Sequence, residues 1–486
     1  MNRNITLNIN GVVGNIRDTS DIGLPQGSAL SPILFRIYVM DIAQDLENRD
    51  DICIYKFADD GSIKVTSTST YSCVETMKHV LTTIDQWTKK WRMVINCQPN
   101  KTEIVGFSTA EGDRTLIPVS FVLGDKNIKR VSHTKVLGLV IDGNLDFTEH
   151  SNSVYKKLIK TWAMISTHAN RHWGFKQITM VQIIKTLWLP SLLYAGHIWI
   201  NRHNIKEINS MFYKIIKSTV GAVFNIRQSY AEVILGLPPI SIVNEVNKIK
   251  HYLKIIMTQL PEDRLRDLIN QQLQNNQQSE VCHSIRQVFK YLKWKFRNHP
   301  DCVAEEDKVI IQSGNLADFC TLSPQTCKYT KGNVTKYTEH LWKSSLNNEL
   351  QLEGHNVTPD PKCCTLLVPS ETSREEEVLA MSMLYPNNLL NNFLHTFSSD
   401  KFPSSMCSCG SESENPHHVL FRCINVDETL REETYRMLQE TVGEEAQMEN
   451  SIILLKACKI NKHFIHKICE IMHQQINNLK TTVDLQ

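Results

Sequence analysis

Two groups of residues in this sequence have the composition that chemistry needs. The first is Phe57-Ala58-Asp59-Asp60, set between two short β-prone runs, Ile52–Phe57 and Ser62–Thr66. Adjacent exposed carboxylates repel, so the pair is costly unless a cation neutralises it. Displacement at phosphorus is served by two divalent ions about 4 Å apart, and Mg2+ prefers oxygen ligands while keeping some of its water. One carboxylate from this hairpin and one from a neighbouring strand would cage such ions. Followed by Gly61, the same residues are also an ordinary hairpin turn. The second group is Cys407-Ser408-Cys409-Gly410, then His417-His418 and Cys423. Two thiols one residue apart, with an imidazole and a thiol five apart, supply four ligands for tetrahedral Zn2+. Cys407, Cys409, His418 and Cys423 are the expected set, with His417 as substitute. Gly410 permits a tight turn after the thiol pair, and Ser411, Asn415 and Pro416 suit a short loop. The plain alternative is a loop of reduced cysteines.

A third feature is a charge asymmetry. From Ser151 to Gln228 the basic residues are Lys156, Lys157, Lys160, Arg171, Lys176, Lys185, Arg202, Lys206, Lys214, Lys217 and Arg227, against Glu207 alone, a local balance of 11 − 1 = +10. The whole chain carries only +2, so this stretch and not the total charge points to a partner. Phosphate backbones attract such a surface, and binding weakens steeply with salt. The aromatics between these charges, Tyr155, Trp162, Trp173, Phe175, Trp188, Trp199 and Tyr213, fall mostly on apolar stripes and are expected in the core. Most of the other cysteines stand apart at no ligand spacing, and Met1–Thr19 lacks the apolar core of a signal peptide. Reduced thiols and an intracellular place, nuclear or cytoplasmic and not secreted, are the expectation. The longest apolar run, Thr186–Ile200, contains Pro190 and His197 and is too short to span a bilayer.

The elements that must position these groups read as follows. Ile52–Phe57 and Ser62–Thr66 form a hairpin, and Val74, Met77, Leu81, Ile84, Trp87 and Trp91 form the apolar stripe of a helix. Val136–Ile141 reads as a strand closed by Asp142-Gly143-Asn144. From His150 the pattern turns helical. Val154, Leu158, Ile159, Trp162 and Ile165 make one stripe; Ile205, Ile208, Phe212, Ile215 and Ile216 make another. A further helix runs from about Ile242 to Ile256. Gln271–Gln278 is polar and of low complexity, hence a linker or solvated helix end.

Around the aspartate pair the sequence holds more. Upstream lies Gly23-Leu24-Pro25-Gln26-Gly27-Ser28-Ala29-Leu30-Ser31-Pro32-Ile33-Leu34-Phe35. Downstream come Trp87, Trp91, Asn96, Lys101-Thr102-Glu103 and Val136-Leu137-Gly138-Leu139. In this order and spacing the segments resemble the palm motifs of reverse transcriptases of non-LTR (LINE-like, jockey/I-type) retrotransposons. Trp188–Trp199 resembles the family's thumb, and Cys407–Cys423 its C-terminal Cys-Cys-His-Cys knuckle. The resemblance implies an RNA-directed DNA polymerase that uses Mg2+ or Mn2+ and deoxynucleoside triphosphates on an RNA template and DNA primer. It implies that Gln26 and Gly27 lie beside the template base and incoming nucleotide, that Asp59 is the main metal ligand of the hairpin and Asp60 the weaker, and that Lys101 faces the nucleotide phosphates. It implies further that Leu137-Gly138 belongs to the hairpin holding the primer end. The alternatives are a helix-leading loop at Gln26-Gly27 and a solvated lysine at Lys101, while Trp87 and Trp91 read as core.

One departure is expected to matter. A full palm carries a further metal-binding aspartate on a strand before the Gln-Gly loop. Here Asp18 and Asp21 sit in what reads as a polar loop, Arg17–Asp21. The fingers and first palm strand are therefore expected to be absent, polymerisation by this chain alone negligible, and a sheet edge exposed. The expected fold class is α+β. A partial palm spans 1–149, a basic all-α thumb 150–260, a linker 261–280, an α-rich connector 281–400, a zinc knuckle 401–430 and a helical tail 431–486. No strand-borne carboxylate set of ribonuclease H type is expected between Val281 and Lys401. The competing reading is a non-enzymatic nucleic-acid-binding protein derived from such an element.

Overall fold

The computed structural model describes all residues except 1–2, 6–7, 15–16, 20–23, 25–26, 43, 47–48, 109–114, 169, 171–172, 202–203, 223–225, 259–263, 276–278, 352–371, 385–389, 402, 448–450 and 484–486. The chain is mixed α/β and divides into two compact units, Met1–His150 and Ser151–Gln486.

The first unit is built from short antiparallel pieces and two helices. Near the N-terminus β1 (Arg3–Ile5) pairs with β4 (Arg17–Thr19), and β2 (Asn8–Ile9) with β3 (Val12–Val13). Asp18 thus lies on a strand, opposite Asn4, and not in the loop expected from its polar neighbours. Strand pairing there satisfies backbone groups that a polar composition alone does not reveal. Asp21 falls outside the described residues. Helix α1 (Ser31–Tyr38) carries Pro32 in its first turn, where the missing N–H costs nothing. It buries none of its residues. Strands β5 (Ile52–Phe57) and β6 (Asp60–Val65) pair with Ile52 opposite Val65 and Ile54 opposite Ile63. Side chains alternate along a strand, so these four face the core while Tyr55, Phe57 and Asp60 share the other face.

Helix α2 (Thr70–Trp91) covers the core face with Val74, Val80, Leu81, Ile84 and Trp87, much as its spacing predicts. Burying each of these side chains contributes roughly 1.5–3 kcal/mol. Met77 packs at the edge of this core, and Trp91 stands half-buried against Tyr38. The helix ends at Arg92, held in the left-handed region at φ 54°, with the Met93 N–H returned to the Thr88 carbonyl. A three-stranded sheet completes the core with Phe121, Leu123 and Ile128. In it β9 (Lys126–Val131) lies between β7 (Ile104–Val105) and β8 (Ser120–Leu123). The run Val136–Ile141 is not one strand. It breaks into β10 (His133–Val136) and β11 (Leu139–Asp142), which pair antiparallel around Leu137-Gly138. Apolar continuity hides that turn from the pattern, because its local signal is one glycine, whereas the resemblance already implied a hairpin at Leu137-Gly138.

The named elements of the second unit are all helices, joined by turns and, among the described residues, one isolated β-bridge, Met406 with Ser413. Helix α3 (Thr148–Ser166) leads in from the first unit. It is followed by α4 (Gln177–Ile183), a π-helical turn Ile184–Trp188 and α5 (Ile205–Val220). Helices α6 (Ile240–Thr258) and α7 (Glu280–Asn298) carry one core, with Val246, Ile249, Leu253 and Ile256 against Ile285, Val288, Phe289 and Leu292. Ser279 caps α7 by accepting the Cys282 N–H. Lys295, buried, donates to the carbonyls of Thr326 and Lys328.

The C-terminal helices join the same unit. Helix α8 (Arg374–Ser382) begins with a Ser373/Glu376 capping box. Its Glu377 carboxylate accepts the Gln177 N–H, at 3.0 and 3.2 Å, and so caps α4. Its Arg374 pairs with Glu377 at 2.7 Å and donates to the Thr219 carbonyl near the end of α5. Helices α9 (Pro416–Phe421), α10 (Glu428–Val442) and α11 (Lys462–Val483) follow. Among the described residues no helix is long and apolar enough to cross a membrane.

Candidate metal centre and nucleic-acid surface

The Cys/His group is brought together. A short hairpin-like turn carries Cys407 and Cys409: the Cys407 N–H donates to the Glu412 carbonyl, and the Gly410 N–H returns to Cys407. Gly410 sits at φ 78°, where a side chain would strain the backbone. Helix α9 then delivers the imidazole. Asn415 caps it by accepting the His418 N–H at 2.8 Å, and Pro416 occupies its first turn. The helix ends with the Cys423 N–H on the His418 carbonyl, which turns Cys423 back toward the pair.

The ligand atoms of Cys407, Cys409, His418 and Cys423 lie within 4.8 Å of one another. The Sγ atoms of Cys407 and Cys423 are 3.7 Å apart, and Cys409 Sγ is 3.2 Å from His418 Nε2. A tetrahedral Zn2+ with arms of about 2.3 Å has sulfur–sulfur edges of about 3.8 Å, so the four donors fit the ion. Burial pushes the Cys407 thiol up to about 12. Burial also opposes ionisation of Cys409, but hydrogen bonds from Ser411, Cys407 and His418 hold it down to about 6. His417 is not in the group: its ring packs edge-on against Phe421 at 4.8 Å. Among the described residues this is the one gathering of three or more His, Cys, Asp or Glu side chains.

The aspartate pair stands at the tip of the β5–β6 hairpin. Phe57 pairs with Asp60, so Ala58 and Asp59 are the two turn residues and Asp60 opens β6. Both carboxylates are exposed. Ala58 is held at φ 53°, a left-handed conformation that costs a non-glycine residue about 1 kcal/mol or more. The second hairpin has the same two-residue form, with Leu137 at φ 47° and Gly138 at φ 88°, and Leu137 is exposed at its tip. Lys101 is exposed on a turn whose flank is fixed by Glu103, which accepts the Asn100 N–H and the Thr134 hydroxyl. Gly27, at φ 87°, lies in the exposed loop before α1. Gln26 falls outside the described residues.

The basic stretch presents Lys156, Lys157 and Lys160 exposed on α3, Lys176 half-exposed just before α4, and Lys185 exposed on the π-turn. Arg171 falls outside the described residues. The aromatics divide. Trp188 and Trp199 are buried as expected, but Trp173 is 57% exposed and Phe175, stacked on His168, is 39% exposed. The stripe argument fails for these two because they sit on the connection between α3 and α4, where helical spacing has no meaning. That connection carries Gly174 at φ 115°, the local signal that could have marked it.

A sequence model of the family described as reverse transcriptase (RNA-dependent DNA polymerase) matches residues 7–141. Similar curated proteins include the RNA-directed DNA polymerase from mobile element jockey of Drosophila funebris, 25% identical over 48% of this chain and 25% of that protein. The probable RNA-directed DNA polymerase from transposon X-element of Drosophila melanogaster is 24% identical over 46% of this chain and 24% of its own length. A Pol polyprotein from type-1 retrotransposable element R1 2 of Nasonia vitripennis is 20% identical over 82% of this chain and 85% of its own length. The chain thus spans about a quarter of the length of the jockey and X-element proteins.

Proposed function

We propose that this chain, whose residues 7–141 carry a reverse transcriptase domain of the non-LTR retrotransposon type, is the part of an RNA-directed DNA polymerase that holds template and primer. Residues 1–149 are its partial palm and the basic helices of 150–260 its thumb. The observation that carries the reading is the coincidence of that domain match with two exposed carboxylates on a strained two-residue hairpin. Asp59 and Asp60 would hold Mg2+ or Mn2+, which when bound neutralises charge during phosphoryl transfer. Gly27, with Gln26, would let backbone approach template base and nucleotide. Lys101 would meet the nucleotide phosphates, and Leu137-Gly138 would bear on the primer end. Lys156, Lys157 and Lys160 of α3, Lys176 before α4 and Lys185 of the π-turn, with Arg171, would grip the duplex backbone, and Cys407, Cys409, His418 and Cys423 would hold Zn2+.

The basic balance of Ser151–Gln228 supports a second reading, in which the chain by itself binds nucleic acid and extends primers negligibly. The deciding experiment is primer extension by the purified chain on an RNA template with Mg2+ or Mn2+, beside an Asp59→Ala control. Metal-dependent extension that the control abolishes would establish polymerisation and remove the binding-only reading. Salt-sensitive primer–template binding without extension would support the second reading. Absence of both would overturn the proposal.

A further inference from the structure

A metal centre of three thiolates and one neutral imidazole around Zn2+ carries a net charge of 2 − 3 = −1, and here most of it is buried. Cys407 and Cys423 are both buried, and His418 is fully so. Such charge is tolerated when hydrogen-bond donors spread it over the surrounding protein. Each sulfur has a side-chain hydroxyl or amide neighbour, and backbone N–H groups of Cys409 and Ser411 lie beside the Cys407 and Cys409 sulfurs. Ser408 Oγ lies 4.0 Å from Cys407 Sγ, and Ser411 Oγ 3.0 Å from Cys409 Sγ. Both serines belong to the turn that carries the thiols. The third partner comes from far along the chain: Gln475 on α11 donates Nε2–H to Cys423 Sγ at 3.5 Å. The imidazole is oriented in the same fashion. With Nε2 toward the thiols, His418 Nδ1 lies 3.3 Å from Glu412 Oε2, and Arg422 approaches that same carboxylate oxygen at 3.6 Å. A carboxylate on the far nitrogen fixes which nitrogen is free to bind metal.

We propose that Glu412 and Gln475 are positioning residues of the metal centre, so that the C-terminal helix α11 is part of the site and not only its neighbour. The inference rests on the four-ligand zinc reading above. Adjacent Gln474 supplies the natural control. It accepts the Asp427 N–H at 3.1 Å and docks the same helix on the segment after Cys423, with its own amide on backbone and not on sulfur.

The test loads the full chain with Zn2+ or Co2+ and measures stoichiometry, affinity by chelator competition, and the sulfur-to-cobalt charge-transfer band. One ion should bind per chain. Gln475→Leu and Glu412→Leu should each weaken it by about 10–100-fold. Glu412→Gln, which keeps an acceptor, should stay near the parent chain. In Gln475→Leu the charge-transfer band should move to lower energy, because a thiolate without its donor is easier to oxidise. That band is read at saturating cobalt, so it reports on the bonding even where a variant is less stable. Gln474→Leu should move neither affinity nor band. Unchanged affinity and band in Gln475→Leu, or an equal loss in Gln474→Leu, would overturn the role given to Gln475. Unchanged affinity in Glu412→Leu would overturn that of Glu412. A parent chain that binds no ion would overturn the zinc reading itself, a result distinct from a bound ion indifferent to the variants.

Discussion

At the scale of single residues, the informative feature is backbone strain at two hairpin tips. Ala58 and Leu137 both hold a positive φ without being glycine, and each is next to residues that the motif order singled out. A left-handed conformation costs such residues about 1 kcal/mol or more, and strain of this kind is kept where the tip has a task. Leu137→Gly should therefore protect the β10–β11 amides more strongly from hydrogen exchange, by about 1 kcal/mol of opening free energy. The same substitution should loosen primer–template binding, because it removes the exposed apolar side chain at the tip. Hydrogen exchange and binding titration read the two effects separately; a gain in stability with unaltered binding would leave Leu137 without a contact to the primer. The aspartate pair was legible in the sequence because adjacent carboxylates are chemically conspicuous. The strain was not, since it is a property of φ that Ala and Leu do nothing to announce.

At the scale of elements, local period read well and distant pairing did not read at all. The stripes on α2 and α5 matched their burial because 3.6-residue spacing is a local property of the chain. The Arg374–Glu377 tie to Gln177 and Thr219 joins residues 200 and 155 positions apart, and nothing periodic marks it. Glu377→Ala should be among the most damaging single changes in the second unit. It strips the cap from α4 and leaves the Arg374 guanidinium buried without its partner, costing about 3 kcal/mol or more by urea unfolding. Replacing both partners by apolar residues should cost less than that, since no orphaned charge remains. A second element-scale effect depends on pH. The His197 and His251 rings stack at 4.2 Å between the Gly196–Trp199 turn and α6. Burial, with His197 and Lys254 beside it, pulls His251 down to about 4, and burial lowers His197 as well. An unfolded histidine titrates near 6.5, so below that pH the unfolded chain binds a proton that the folded one refuses. Stability from this pair is thus fully present above about pH 6.5 and falls as the pH drops toward 4. Allowing for partial solvent access, the loss by pH 5 should be about 1 kcal/mol. The urea midpoint at pH 7.5 and pH 5 measures it, and His251→Leu should flatten the difference.

At the scale of the whole molecule, charge is segregated and not abundant. The chain totals +2 while Ser151–Gln228 alone balances at +10, so the remaining residues sum to −8. An overall attraction to phosphate cannot arise from that total; it has to come from where the lysines stand. Lys156, Lys157 and Lys160 lie within about 100° of arc on α3 and are all exposed, a patch that one duplex backbone can meet. Each phosphate contact releases condensed counterions and adds about 0.9 to the slope of log affinity against log salt. Lys156→Gln, Lys157→Gln and Lys160→Gln together should then lower that slope by about 2 to 3 and weaken primer–template binding uniformly across sequences. The comparison is informative because neutralising lysines elsewhere, such as Lys331 and Lys343, changes the net charge by similar steps without touching this patch. If the slope followed total charge and not position, the two sets of variants would behave alike, and the helices after His150 would lose their place as the duplex-gripping part of the chain.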